Sequence, residues 1–382
     1  MLYHWIAITA IRRNDAAHCQ TSQPKAPFRT MTACLAISDQ SIAKAVTILA
    51  AGQLVAFPTE TVYGLGADAT NAAAVARIFA AKQRPAFNPL ISHVASADAA
   101  FALGQKTPIA AALAAAFWPG PLTLILQRND DCPLAMLTTA GLDKIGIRVP
   151  AHRGAQTLLQ SFGKPIAAPS ANPSGRISPS TAIHVLDRLD GRLDLVLDGG
   201  SCESGLESTI IDCTGDFARL LRPGGITRDA LAAALAAANC NSQIEIAEPL
   251  ADLENPVAPG QLASHYAPKA PLRLMAKTSN TGEELIGFGT VSGAGKLALN
   301  LSPSGDLVEA AANLFSMLHA VDAADIAKIA IAPIPDTGLG EAINDRLRRA
   351  AAPRSLFFLI FALDAGSCEP KNLFCRKQHF HH

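Results

Sequence analysis

Short apolar runs ended by Gly, Pro or Asp alternate with stretches of helical period through most of the chain. That alternation admits few architectures other than α/β. Ser38 to Ala50 predicts a helix, because Ile42, Ala45, Val46 and Leu49 recur at spacings of three and four behind a Ser38 or Asp39 cap. Gly52 stops it, and "LVAF" (54–57) follows as a short buried strand. Asn71 to Lys82 repeats the helical pattern, with Val75, Ile78 and Phe79 on one face. "PLISHV" (89–94) reads as a strand, and "IAAALAAAFW" ahead of "PGPLTLIL" as helix, turn and strand. "IGIRVP", "PIAAPSA", "LDLVLDGG", "STIIDCT" and "ARLLRPG" are further strand candidates. Several of these follow one another with no helix marked between them, which predicts a mixed sheet.

With 382 residues, 49% of them hydrophobic, the chain is long enough for two domains. The pattern breaks near residue 240. Residues 241–271 are rich in proline and poor in periodicity, and read as an extended linker. They separate a domain over 31–240 from a smaller α/β domain over 272–361. In the latter, strands are predicted at "LIGFG" (285–289), "KLALNL" (296–301) and "IAKIAIAPI" (326–334), with helices at Gly305–Ala320 and Gly338–Ala351. "GTVSGAGKL" (289–297) imitates a phosphate-binding loop, but its first glycine is misplaced and Leu297 stands where a metal-binding hydroxyl belongs; a loop is the better reading.

Residues 1–30 have their apolar run ahead of their arginines, the reverse of a secretory signal, and read as an upstream extension; 362–382 read as a tail. No apolar run approaches the ~20 residues that span a bilayer. The eight cysteines form no CxxC pair, which suits reduced thiols and a cytoplasmic location. Lys+Arg and Asp+Glu are both 32, a balance that argues against a bulk nucleic-acid binder and leaves room for a local basic pocket.

Polar groups gather at strand ends. In "AKQRPAFNPLISHV", Lys82 and Arg84 close a helix, and Asn88 and His93 follow across a Pro-bounded turn, so all of them can face one space. Arg supplies a fork for phosphate oxygens and Lys a compact charge. In "PIAAPSANPSGRISPS", Ser170 and Asn172 sit just past an apolar strand, stiffened by Pro169 and Pro173. Arg148, Arg222 and the "ESTIID" run of Glu207, Ser208 and Thr209 add directed polar groups. No nucleophile–base pair and no metal-ligand spacing emerges. The chemistry implied is positioning and charge neutralisation by cations, as in phosphoryl and nucleotidyl transfer.

"PTETVYGLGADA", "KQRPAFNPLISHV", "IGIRVP", "APSANPSG", "ESTIID" and "LLRPG", in this order, resemble the YrdC-like domain of L-threonylcarbamoyladenylate synthases. "APGQLASHYAPKAPL" and "GLGEAINDRLRRAA" resemble the linker and C-terminal domain of the family's two-domain form, and the match spans roughly residues 38 to 355. The resemblance implies a YrdC-like open twisted mixed sheet with helices, plus a smaller Rossmann-like domain. It implies a cytoplasmic nucleotidyltransferase that makes threonylcarbamoyl-AMP and pyrophosphate from ATP, L-threonine and bicarbonate, with Mg²⁺ accompanying ATP and no metal held by the protein. A separate threonylcarbamoyl transferase complex would carry the group to adenosine 37 of tRNA, with at most a weak tRNA contact here. By motif, Lys82 and Arg84 would be catalytic, and with Asn88, Ser170, Asn172, Ser178, Arg222, His265 and Tyr266 would bind ATP. Thr61, His93, Arg148, Ala168 and Ser208 would hold threonine. Thr59 to Gly66 would wall the threonine and bicarbonate pocket, and the linker would close over it. Some members carry Met-Lys-Tyr where this chain has Gln261, Leu262 and Ala263. Two other readings remain open at this point: an RNA-binding module, and carbamoyl-AMP formation from carbamoyl phosphate.

Overall fold

Most helix starts among the described residues follow side-chain capping, the helix that begins after Gly338 being the exception. In the computed structural model, Ser38 and Ser41 form a reciprocal capping box, while Asn71, Thr107, Thr181, Thr227 and Asp306 each accept from a backbone N–H one turn in. The structure describes residues 31–85, 87–247 and 264–353.

The larger lobe opens with β1 (Ala33–Ala36), α1 (Asp39–Ala50), β2 (Val55–Phe57), β3 (Gly64–Asp68), α2 (Ala72–Lys82) and β4 (Ile91–His93). It continues through α3 (Ala97–Leu103), α4 (Pro108–Phe117), β5 (Leu122–Gln127), β6 (Lys144–Arg148), α5 (Arg153–Phe162) and β7 (Ile166–Ala167). It closes with α6 (Ala182–Leu189), β8 (Leu195–Asp198), β9 (Thr209–Asp212), β10 (Ala218–Arg222), α7 (Arg228–Ala237) and β11 (Ile244–Ile246). The strands form one sheet in the order β1-β8-β2-β3-β7-β4-β6-β5-β9-β10-β11, with parallel and antiparallel pairs interspersed. The smaller lobe contains β12 (Leu272–Arg273), β13 (Glu284–Ile286), α8 (Leu307–Ala323), β14 (Ile329–Ile331) and α9 (Leu339–Ala351), with an all-parallel sheet ordered β12-β14-β13. The mixed α/β class and the smaller α/β lobe are as expected.

Several elements differ from the sequence reading. Gly64–Asp68, to which the sequence reading gave no element, is strand β3, antiparallel to both β2 and β7. A Cβ on Gly66 would lie 2.8 Å from Phe57 and 2.9 Å from Ile166, so its glycine serves strand packing rather than ligand approach. Helices α5 and α6 separate strand candidates that looked contiguous; α5 hides behind an unusual His152 cap. The sheet is mixed because adjacent strands run antiparallel, not because helices are missing. "KLALNL" forms no named strand, because Leu297 and Ala298 donate their N–H groups to the Glu284 carboxylate instead of to a neighbouring strand. Within the stretch read as linker, Ile244–Ile246 adds an edge strand parallel to β10, and residues 248–263 lie outside those described, as do residues 1–30 and 354–382.

One apolar cluster joins the lobes: Val62, Ile177 and Leu206 pack with Tyr266, Ala311 and Phe315. Gly205 allows it, since a Cβ there would meet the α8 backbone at 2.4 Å. Nearby, the His184 and His319 rings stack at 3.8 Å between centroids, and Arg188 pairs with Asp322 at 2.7 Å.

Two outcomes follow from this packing. Gly66→Ala should destabilise the protein by roughly 1–3 kcal/mol, read as a lowered denaturation midpoint with an unchanged denaturant slope. Burial first, then His184, lowers the His319 imidazole to about 3. An imidazole that resists protonation when folded stabilises the protein above the unfolded pKa of about 6.5, and that contribution drains away as pH falls toward 3. By pH 5 the loss should reach about 2 kcal/mol. His319→Gln, which can still donate to the Ser178 carbonyl, should show a smaller fall in Tm between pH 7.5 and pH 5 than the wild type.

Candidate active site

Register across the large sheet lines up the polar residues. His93 pairs with Arg148, Arg148 with Thr123, Thr123 with Ile210, and Ile210 with Arg222. Side chains matched in register share a face, so β4, β6, β5 and β10 present His93, Arg148, Thr123 and Arg222 in one row. Ser208, just before β9, joins through a 2.7 Å hydroxyl contact with Thr123. Loops at the same edge complete a pocket: Thr59–Val62 between β2 and β3, Arg84 after α2, Pro169 and Ser170 after β7, Glu207 before β9, and His265 and Tyr266 from the chain entering the small lobe.

Each cation is tethered. Arg148 donates to Thr61 Oγ1 (2.8 Å) and the Gly120 carbonyl (3.2 Å), and pairs with Glu60 at 2.7 Å. Burial would raise the Glu60 carboxyl, but Arg148 beside it and the Ala151 N–H hold it below its ordinary value. Arg222 donates to the Ser208 carbonyl (2.9 Å), and Arg84 to the carbonyls of Asn88 (3.2 Å) and Pro89 (2.9 Å). Lys82 Nζ donates to the carbonyls of Ser170 and Asn172, clamping that loop onto the end of α2. Burial, then Arg84, pushes Lys82 well below its usual range. Burial lowers Arg84 to about 9, with Arg222 acting in the same direction and Tyr266 against it. Burial and Arg148 lower His93 to about 3, so its ring is neutral in the physiological range.

Several buried polar atoms have no hydrogen-bond partner among the described residues: both ends of the Asn88 amide, Asn172 Oδ1, Ser174 Oγ, His93 Nδ1, His265 Nδ1 and the Tyr266 hydroxyl. Orphaned polar atoms are costly unless a ligand or water meets them. Of these, His93, His265 and Tyr266 line the cationic pocket, and Asn88 and Asn172 lie on the segments that tether Arg84 and Lys82, which marks it as built for a polar, anionic ligand.

Among the residues singled out in the sequence, Arg84, Ser170, Arg222, His265 and Tyr266 line the pocket, as do Thr61, His93, Arg148, Ala168 and Ser208. Lys82, Asn88, Asn172 and Ser178 stand behind that lining, each fully or almost fully buried. Asn172 donates to the Pro173 (2.9 Å) and Arg176 (2.8 Å) carbonyls, and Ser178 donates to Glu207 at 2.5 Å. Tyr266 adopts a left-handed backbone (φ 62), and its neighbour Ala267 donates to the Gly175 carbonyl at 2.9 Å. The "SHYAP" segment is therefore fastened across the loop that carries Ser170. Gln261, Leu262 and Ala263 lie outside the described residues. Glu60 entered the sequence reading only within the Thr59–Gly66 wall and Glu207 only within the "ESTIID" run, and Arg346, which reaches Glu207 from α9 at 2.8 Å, had no assigned role. The available signal for Arg346 was a charge in the middle of the apolar stripe Ile343, Leu347, Ala350.

Similarity to known proteins agrees with this geometry. Residues 47–224 match the Sua5/YciO/YrdC family model, described as telomere recombination, and residues 226–352 match the model of the threonylcarbamoyl-AMP synthase C-terminal domain. The chain belongs to the Sua5/YciO/YrdC family, in its two-domain form. It is 40% identical over 344 residues to a threonylcarbamoyl-AMP synthase of Bacillus subtilis, covering 86% of this chain and 97% of that one. It is 39% identical to the Pyrococcus abyssi enzyme of the same name, covering 83% and 96%. A crystal structure of P. abyssi Sua5 complexed with L-threonine superposes with a TM-score of 0.74 at 36% identity, covering 84% of this chain and 97% of that one.

Proposed function

We propose that this chain synthesises L-threonylcarbamoyl-AMP and pyrophosphate from L-threonine, bicarbonate and ATP, the first step of N6-threonylcarbamoyladenosine formation at tRNA position 37. The observation that carries the reading is the pocket itself: buried, tethered cations sharing one lining with the orphaned polar atoms of His93, His265 and Tyr266, on a chain 40% identical to a named threonylcarbamoyl-AMP synthase. Arg148, Thr61, His93 and Ser208 form the threonine end, where His93 is neutral and Arg148, itself paired with Glu60, supplies guanidinium donors for the amino acid's carboxylate. Arg84 and Arg222 form the phosphate end, with Lys82, Asn88, Asn172 and Ser178 behind them.

Bicarbonate carboxylates the threonine amine, releasing water. An oxygen of the resulting carbamate attacks the α-phosphorus of ATP, and the bond to the leaving pyrophosphate breaks. Fixed cations stabilise the charge that develops there. Mg²⁺ would come with the triphosphate, held by phosphate oxygens and water. That fits the residues present: no described group of three His, Cys, Asp or Glu could hold it, and the lining carboxylate Glu207 is taken by Arg346 and Ser178. The product passes to a threonylcarbamoyl transferase complex in the cytoplasm. No described helix is long and apolar enough to cross a membrane.

Pyrophosphate release from ATP, bicarbonate and single amino acids tests the reaction. Threonine should support it, while serine, lacking one methyl, should lose about 1 kcal/mol of transition-state binding. Valine should be rejected far more strongly, since a hydroxyl partner would be left unpaired. Release that proceeds as well with valine as with threonine, or that needs carbamoyl phosphate, would contradict the assignment. Removing one charge-assisted contact through Arg84→Ala should weaken ATP by ~1.5–3 kcal/mol while the circular-dichroism spectrum stays native; wild-type ATP affinity in that variant would remove Arg84 from the phosphate end.

A further inference from the structure

The small lobe sends one charged side chain to the rim of the pocket. Arg346 on α9 is fully buried, although its helix neighbours Ile343 and Leu347 are apolar. Its Nε donates to Glu207 Oε2 at 2.8 Å, and its Nη1 to the Pro223 carbonyl and to Asp345, each at 2.8 Å. The guanidinium carbon lies 5.3 Å from the centre of the Tyr266 ring. Burial works against this charge, but Tyr266, Glu207 and Asp345 outweigh it and hold the group protonated.

Two of these contacts end at the pocket lining and a third beside it. Glu207 lines it and accepts the Ser178 hydroxyl, Pro223 follows Arg222, and Tyr266 is part of the wall. From α8, His319 meets the Ser178 carbonyl at 3.1 Å, so the small lobe touches Ser178 directly there and reaches its hydroxyl only through Glu207. The charge pattern shows what Arg346 adds. Glu60 is neutralised by Arg148. Glu207, buried at the phosphate end, would oppose an incoming polyanion unless its own charge were matched.

We propose that Arg346 is a positioning residue for the nucleotide: it neutralises Glu207 and anchors Pro223, so that the cations of the phosphate end act on phosphate rather than on Glu207. The inference rests on the ATP reading above and gives the C-terminal lobe a direct electrostatic share in nucleotide binding.

Isothermal titration of the full-length protein with ATP and with adenosine separates charge from shape. The wild type must bind ATP; if it does not, the nucleotide reading falls and this proposal with it. Arg346→Gln should weaken ATP by at least about tenfold and leave adenosine within about twofold, because adenosine carries no phosphate to repel. Adding Glu207→Gln to that variant should return ATP to within about threefold of wild type, and Arg346→Lys, which keeps the charge, should stand between them. Unchanged ATP affinity in Arg346→Gln, equal losses for ATP and adenosine, or no recovery in the double variant would each overturn the proposal. If Arg346→Gln alone does not fold, the double variant decides by the same ATP criterion.

Discussion

Keeping cations charged while taking them out of water is the constraint on which this architecture depends. Lys82, Arg84, Arg148 and Arg222 are all buried, and a buried charge is tolerated only when hydrogen bonds replace its hydration. The fold supplies these bonds chiefly from backbone carbonyls at strand and helix ends: Ser170 and Asn172 for Lys82, Asn88 and Pro89 for Arg84, Gly120 for Arg148, Ser208 for Arg222. The carbonyls around Lys82 and Arg84 hold these side chains without a countercharge, whereas Arg148 is also paired with the Glu60 carboxylate. Positive potential then remains for a ligand whose phosphates and carboxylate carry the opposite sign.

The second lobe belongs to the site as much as to its own core. Tyr266 packs against Phe315 at 5.6 Å between ring centres while its hydroxyl faces the pocket side without a described partner. One residue thus ties the packing of α8 to the wall of the binding site. Arg346 does the same with charge, and His319 with a backbone hydrogen bond. Displacement of the small lobe would disturb the pocket at all three points, and the His265–Ala267 segment is anchored by His265 N–H to the Arg349 carbonyl and Ala267 N–H to the Gly175 carbonyl.

The helices α1, α2 and α8 were legible because apolar spacing and a cap residue coincide in each, α9 by its apolar spacing alone, and most strand cores because short apolar runs end in Gly, Pro or Asp. Helices α3, α5, α6 and α7 escaped: α3 and α6 are short, at 7 and 8 residues, and α5 starts on a histidine cap, while α7 is as long as α4 and simply went unread. "KLALNL" looked like a strand since its residues suit one, yet Glu284 satisfies the backbone there. Strand propensity reports fit to a pleated surface, and a side-chain acceptor can override it.

Motif order and residue type made most of the pocket lining visible before any coordinates: Thr61, Arg84, His93, Arg148, Ser170, Ser208, Arg222, His265 and Tyr266 all reach it. Sequence alone also determined the α/β class, the presence of a second lobe and the cationic character of the site, since these follow from local periodicity and local chemistry. Only the tertiary structure decided which groups are partners. The register that sets His93, Arg148, Thr123 and Arg222 in one row, the pairing of Glu60 with Arg148, and the reach of Arg346 across 139 positions to Glu207 depend on distances between segments far apart in the chain. Local sequence carries no information about those distances, because they are set by how the sheet twists and how the two lobes pack.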